Sequence, residues 1–129
     1  FGICLGMQLL GSYSDEDNGS EGLNLIPNKI SKFEVDSSEF KIPHVGFNKI
    51  MINQACENSI FKDLKDESYF YFVHSHKMEI SPTLEVSTTS FHGEKFISAF
   101  QESNISGTQF HPELSQSNGL KVLSNFLDS

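Results

Sequence analysis

The sequence predicts an α/β chain, on three observations. A cysteine stands inside Gly2-Ile3-Cys4-Leu5-Gly6, between an apolar strand end and a helical run; a long middle stretch carries period-two and short β-rich runs; and the final segment spaces its apolar residues as a helix does.

The first element is a strand ending at Ile3, followed by a helix over residues 5 to about 13. A sharp strand-to-helix turn crowds side chains at the positions flanking its apex, so Gly2 and Gly6 read as the residues that permit it. Cys4 then stands at the carboxyl edge of the sheet, facing out. The N-terminus of the helix points at its sulfur, where free N–H groups favour a thiolate and any oxyanion beside it. A small buried Cys in a glycine-rich turn is the rival reading of the pentapeptide alone.

Residues 14–22 are acidic and rich in turn formers, and predict a surface loop. From residue 23 to 110 strands dominate, with runs at 29–35, 47–52, 69–76, 84–89, 96–100 and 105–110, and a helical turn at 59–64 capped by Asn58 or Ser59. The last element, 117–127, carries Leu120, Val122, Leu123, Phe126 and Leu127 at helical spacing and is expected to pack one face on the sheet.

A cysteine nucleophile needs a base, and the base needs an orienter. Gln109-Phe110-His111-Pro112-Glu113 supplies both just before the final helix. On a strand end, His111 and Glu113 lean the same way, so the carboxylate holds the imidazole tautomer. Cys4, His111 and Glu113 are therefore the expected triad. His74 and His76 alternate on one strand and raise the question of zinc, but no third ligand has the required spacing, and no metal or cofactor is called for. His44 and His92 sit in no pattern with a partner.

The 129 residues suit one ordinary core and not two, and the net charge of −8 with no arginine disfavours nucleic acid, anionic membrane or a phosphate clamp. No apolar run is long enough to span a bilayer. Of the two cysteines, Cys56 lies in a polar turn and reads as incidental; a nucleophilic Cys4 implies a reducing, cytoplasmic setting. The chain begins with Phe inside a strand, for which truncation is a better account than signal cleavage.

The elbow Gly-Ile-Cys-Leu-Gly-Met-Gln-Leu-Leu and the segment Gln-Phe-His-Pro-Glu resemble the signatures of the class I, triad-type glutamine amidotransferases. Pro43-His44-Val45-Gly46-Phe47-Asn48 and Tyr71-Phe72-Val73-His74-Ser75 are most similar to the glutaminase subunit family of imidazole glycerol phosphate synthase. The resemblance covers residues 1–129 and implies the C-terminal portion of a flavodoxin-like α/β amidotransferase domain, with the N-terminal half absent. It also implies glutamine hydrolysis through a Cys4 thioester, with Leu5 giving one oxyanion N–H, a second donor coming from the absent half, and Gln8, Glu16, Ser75 and His76 contacting glutamine. On that reading the chain alone is a poor enzyme.

The implied partner is a barrel-type cyclase in a heterodimer, facing residues 43–48 and taking ammonia into imidazole glycerol phosphate. Two positions depart from the family pattern: Phe47 stands in place of a tryptophan and Leu114 in place of a lysine. They leave open a paralogue that supplies ammonia for sugar amination in surface-glycan synthesis. A non-catalytic interaction module and a Cys peptidase using the same triad are the readings from other classes.

Overall fold

The computed structural model describes residues 1–52, 58–81, 84 and 86–129, so Cys56 and part of the expected 84–89 strand lie outside the described residues. In chain order the elements are β1 (Gly2–Ile3), α1 (Leu5–Leu9), β2 (Tyr13–Ser14), β3 (Ser20–Glu21), β4 (Lys29–Lys32), β5 (His44–Lys49), β6 (Met51–Ile52), β7 (Tyr69–His74), β8 (His76–Met78), β9 (Val86–Phe91), β10 (Lys95–Glu102), β11 (Ile105–Thr108) and α2 (Gln116–Leu127). Among the described residues, 3-10 turns at Glu16–Asn18 and Pro112–Leu114 punctuate them.

A mixed nine-stranded sheet runs β1-β11-β10-β8-β4-β2-β3, with β9 on β10 and β6 on β9. Among the described residues β1 with β11 and β2 with β4 pair in parallel, and the other pairs of this sheet are antiparallel. β5 and β7 form a separate antiparallel pair. β1 ends the strand order, with only the parallel β11 beside it among the described residues.

β10 is buried on both faces, which is why Phe96 through Phe100 read as a continuous apolar run broken only by Ser98. Phe96 and Ala99 join one core cluster with Phe33, Phe70, Phe72, Phe110 and Val122, while Ile97 and Phe100 join the other with Met7, Ile30 and Met78. Strict alternation would send residue 99 to the face of residue 97. The register shift between Ile97 and Ala99 makes Ser98 the extra residue of a bulge, and the alternation restarts one residue later.

Two local expectations need correction. Residues 59–64 form turns, not a helix, although Ser59 Oγ does accept the Phe61 N–H at 3.1 Å, as a capping residue would. On α2 the buried seam is Gly119 and Val122, with Leu123 and Phe126 partly covered, whereas Leu120 and Leu127 face outward. Counting apolar residues overlooked Gly119, whose missing side chain lets the helix approach: a Cβ there would sit 1.8 Å from the Pro112 carbonyl oxygen.

Candidate active site

Cys4 occupies the tight junction between β1 and α1 at φ 54°, ψ −108°, a conformation L-residues rarely adopt and one that costs about 1–3 kcal/mol. The surroundings hold it there. Its N–H donates to Thr108 O at 2.7 Å, extending the β1–β11 pairing, and its carbonyl accepts the Gln8 N–H at 3.1 Å. Gly2 is required by the turn, because a Cβ on it would meet the Gly6 carbonyl carbon at 2.6 Å. Gly6 is not, since a Cβ there would touch nothing within 4 Å.

α1 stops at Leu9, well short of the expected end near residue 13. The carbonyls that would carry it on are taken by other chain: Leu9 O accepts from Leu23 N, Leu10 O from Leu25 and Ile26 N, and Gly11 O from Asn24 N. So short a helix has a small dipole. Burial is the largest influence on the Cys4 thiol and raises its pKa above the ordinary value, against smaller downward pulls from the Leu5 N–H and the Gln109 side chain; the Glu113 carboxylate adds to the rise. The helix end therefore favours the thiolate less than burial opposes it, and Cys4 needs the base that the sequence assigns to it.

His111 follows β11 and caps the turn Pro112–Leu114. Its N–H donates to Tyr71 O at 2.9 Å, while Ser115 Oγ donates to His111 O at 2.5 Å and accepts the Tyr71 N–H at 2.9 Å. His111 and Glu113 thus lie on a helical turn and not a strand end, yet the expected pairing forms: Nδ1 meets Glu113 Oε1 at 2.5 Å. With the proton on Nδ1, Nε2 is left as the basic nitrogen.

The nucleophile lies against the same strand. Cys4 Sγ lies 3.8 Å from Val73 O, and the His111 backbone is tied to Tyr71, two residues along β7 and about 7 Å away by strand geometry. The structure therefore brings Cys4, His111 and Glu113 to one edge. Among the described residues no hydrogen bond joins the sulfur to the imidazole.

Beside the elbow a cleft of about 170 Å³ is lined by Leu5, Gln8, Leu9, Ser14, Glu16 and Asp17, closed by Ser20–Glu21 and Gly22. Gln8 and Glu16, expected to contact glutamine, both line this cleft. Ser75 and His76 are outside this lining. Ser75 O accepts the Phe33 N–H at 3.3 Å, and His76 Nε2 sits 3.3 Å from Asp15 Oδ1. Nor do His74 and His76 share a strand face. The strand breaks at Ser75, and His74 turns inward, its Nε2 2.9 Å from His44 Nδ1.

His44, which is buried, and His92, which is half-buried, were expected to have no partner but join this group. Their rings stack with centroids 4.1 Å apart, His44 Nε2 meets Asn48 Nδ2 at 3.3 Å, and His92 Nε2 meets Lys41 O at 2.8 Å. The β5–β7 register sets His44 opposite His74, and no periodicity within either strand announces that meeting.

A glycine-flanked, strained cysteine at a strand–helix junction with a histidine–carboxylate pair on a neighbouring turn is the arrangement of a triad hydrolase or amidotransferase. The chain belongs to the glutamine amidotransferase class-I family, whose model matches residues 1–129. It is 46% identical over 128 residues to the imidazole glycerol phosphate synthase subunit HisH of Chlorobium chlorochromatii, covering 98% of this chain and 62% of that protein. The protein of the same name from Pyrococcus furiosus is 44% identical over 126 residues, covering 97% and 62%. The chain thus spans about 62% of the length of these curated relatives. A crystal structure of a candidate GMP synthase component from Thermoplasma acidophilum superimposes with a TM-score of 0.67 at 23% identity, covering 98% of this chain and 54% of that one, a likeness of fold. No helix among the described residues is long and apolar enough to cross a membrane.

Proposed function

We propose that residues 1–129 are the nucleophile-bearing part of a glutaminase subunit of the imidazole glycerol phosphate synthase type, the rest of the amidotransferase domain lying outside them. The observation that carries this is the seating of the Cys4 thiol and the Glu113-paired His111 along one edge of β7. The similarity to HisH subunits along nearly the whole of this chain favours the histidine-pathway acceptor over sugar amination.

In this mechanism Nε2 of His111 takes the Cys4 proton as Sγ attacks the side-chain carboxamide carbon of glutamine. The oxyanion of the tetrahedral intermediate accepts a hydrogen bond from the Leu5 N–H. His111 then gives its proton to the departing nitrogen, releasing ammonia and leaving a γ-glutamyl thioester. Water, deprotonated by the same imidazole, attacks the thioester; glutamate leaves and the thiol is restored. Glu113 steadies the imidazolium in both halves. Nucleophile–base hydrogen bonds often close only around substrate, so the missing sulfur–imidazole bond is compatible with these roles. A lost oxyanion donor costs about 10²–10³ in rate, and a second donor from the remainder of the domain is part of the reading.

Ammonium is no nucleophile, so ammonia must pass to its acceptor through a path poor in water. The β5–β7 pair offers the docking surface for a cyclase partner in a cytoplasmic heterodimer. Val45 pairs with Val73 and Phe47 with Tyr71, and this face is exposed while His44, Phe72 and His74 fill the opposite one. In the full-length protein with its cyclase, Cys4→Ala is expected to abolish glutamine-dependent synthesis and leave ammonia-dependent synthesis intact. Loss of both would make the thiol structural and defeat the reading.

A further inference from the structure

We propose that Gln109 is a positioning residue for the Cys4 thiol: its side-chain amide donates to the sulfur and is itself held in that orientation by Gln8. The proposal rests on the glutaminase reading for its catalytic meaning, while its geometry stands alone.

Gln109 is fully buried, two residues before His111, and its Nε2 lies 3.6 Å from Cys4 Sγ. Burying a primary amide is costly unless its groups are paired, so its presence between β11 and the His111 turn calls for partners. Its Oε1 accepts from Gln8 Nε2 at 3.0 Å, and the other N–H of that Gln8 amide donates to His76 O, also at 3.0 Å.

These partners fix which end of each amide faces which neighbour. Turning Gln8 over would set its oxygen against both the His76 carbonyl and Gln109 Oε1. Turning Gln109 over would set two NH₂ groups against each other and an oxygen against the sulfur. Only the arrangement with an N–H toward Cys4 satisfies all of them.

The anchor continues beyond Gln8. His76 O also accepts from His74 Nδ1 at 2.7 Å, so the carbonyl at the far end is gripped from two sides. On the backbone side, Gln109 N donates to Ser98 O at 2.8 Å, at the bulge of β10. The side chain therefore has no freedom to leave the thiol. An N–H aimed at sulfur favours the thiolate over the thiol, in the direction that the Gln109 contribution to Cys4 takes. It opposes the burial that keeps the proton on, making the transfer to His111 easier.

The test is the pH dependence of Cys4 alkylation by iodoacetamide in the full-length protein, followed by mass spectrometry of the Cys4 peptide. Gln109→Met, close in size and without a donor, is expected to move the midpoint up by about one pH unit and slow alkylation below it about tenfold. The kcat for glutamine hydrolysis falls with KM little changed. Gln8→Met, which frees the Gln109 amide to turn, shifts the midpoint the same way by less. A Gln109→Met profile superimposed on wild type in a protein of normal melting temperature overturns the assignment; should that variant not fold, an unshifted Gln8→Met profile does so instead. A wild-type protein that hydrolyses no glutamine, with Gln109→Met still shifting the alkylation midpoint, defeats the glutaminase reading and leaves the positioning role standing.

Discussion

His44 and His74 meet inside the fold with their rings between Phe33, Phe72 and Phe96, and both stay neutral there. Burial, then the neighbouring His74 and His92, holds His44 down to about 3; burial, with lesser contributions from His92, His111 and His76, holds His74 down to about 4 against the upward pull of the His76 carbonyl. The unfolded chain takes up these protons near pH 6.5, so between that pH and 4 the unfolded state binds more protons and stability rises with pH. While both rings remain neutral in the fold, acidification below 6.5 removes at most about 2.7 kcal/mol per pH unit. Urea unfolding of the full-length protein at pH 7 and pH 5 is expected to show the loss. His74→Asn, which keeps a donor near the place of Nδ1, should roughly halve it. Equal stability of the wild type at the two pH values contradicts the buried-neutral pair.

At the scale of elements, α2 and the turn that carries His111 and Glu113 are held together by an absence. Gly119 lies in mid-helix, where alanine is ordinarily better by about 1 kcal/mol, but a Cβ at this position would lie 1.8 Å from Pro112 O. Backbone cannot rotate away as a flexible side chain does, so the clash outweighs the propensity gain. Gly119→Ala is expected to destabilise by about 1–3 kcal/mol and to lower glutamine hydrolysis by shifting Pro112. An unchanged melting temperature and kcat would show that the helix seats without this contact. The sequence made the elbow, the His111–Glu113 pair and the amphipathic end legible because each is local: residues a few positions apart do the work. The Ser98 bulge, the early stop of α1 and the His44–His74 pairing were not legible, since each depends on hydrogen bonds or strand partners far along the chain.

For the whole molecule, the question is what its bare surfaces do. The open side of β1 spans only Gly2–Ile3, so edge pairing offers one or two backbone hydrogen bonds at about 0.5–1.5 kcal/mol each. The outer face of β5–β7 offers more: Val45, Phe47 and Val73 are 57, 50 and 38% exposed, and each apolar side chain gains up to about 1.5–3 kcal/mol on full burial. Self-association of the 129-residue chain should therefore run mainly through this face. The net charge of −8 opposes it, and that repulsion is screened once the Debye length falls to about 8 Å at physiological salt. Sedimentation velocity should then show association that strengthens with sodium chloride, and Phe47→Lys should suppress it without lowering the melting temperature, because that side chain projects outward. A wild-type chain that remains monomeric at high salt, or a Phe47→Lys variant that associates equally well, would move the sticky surface elsewhere.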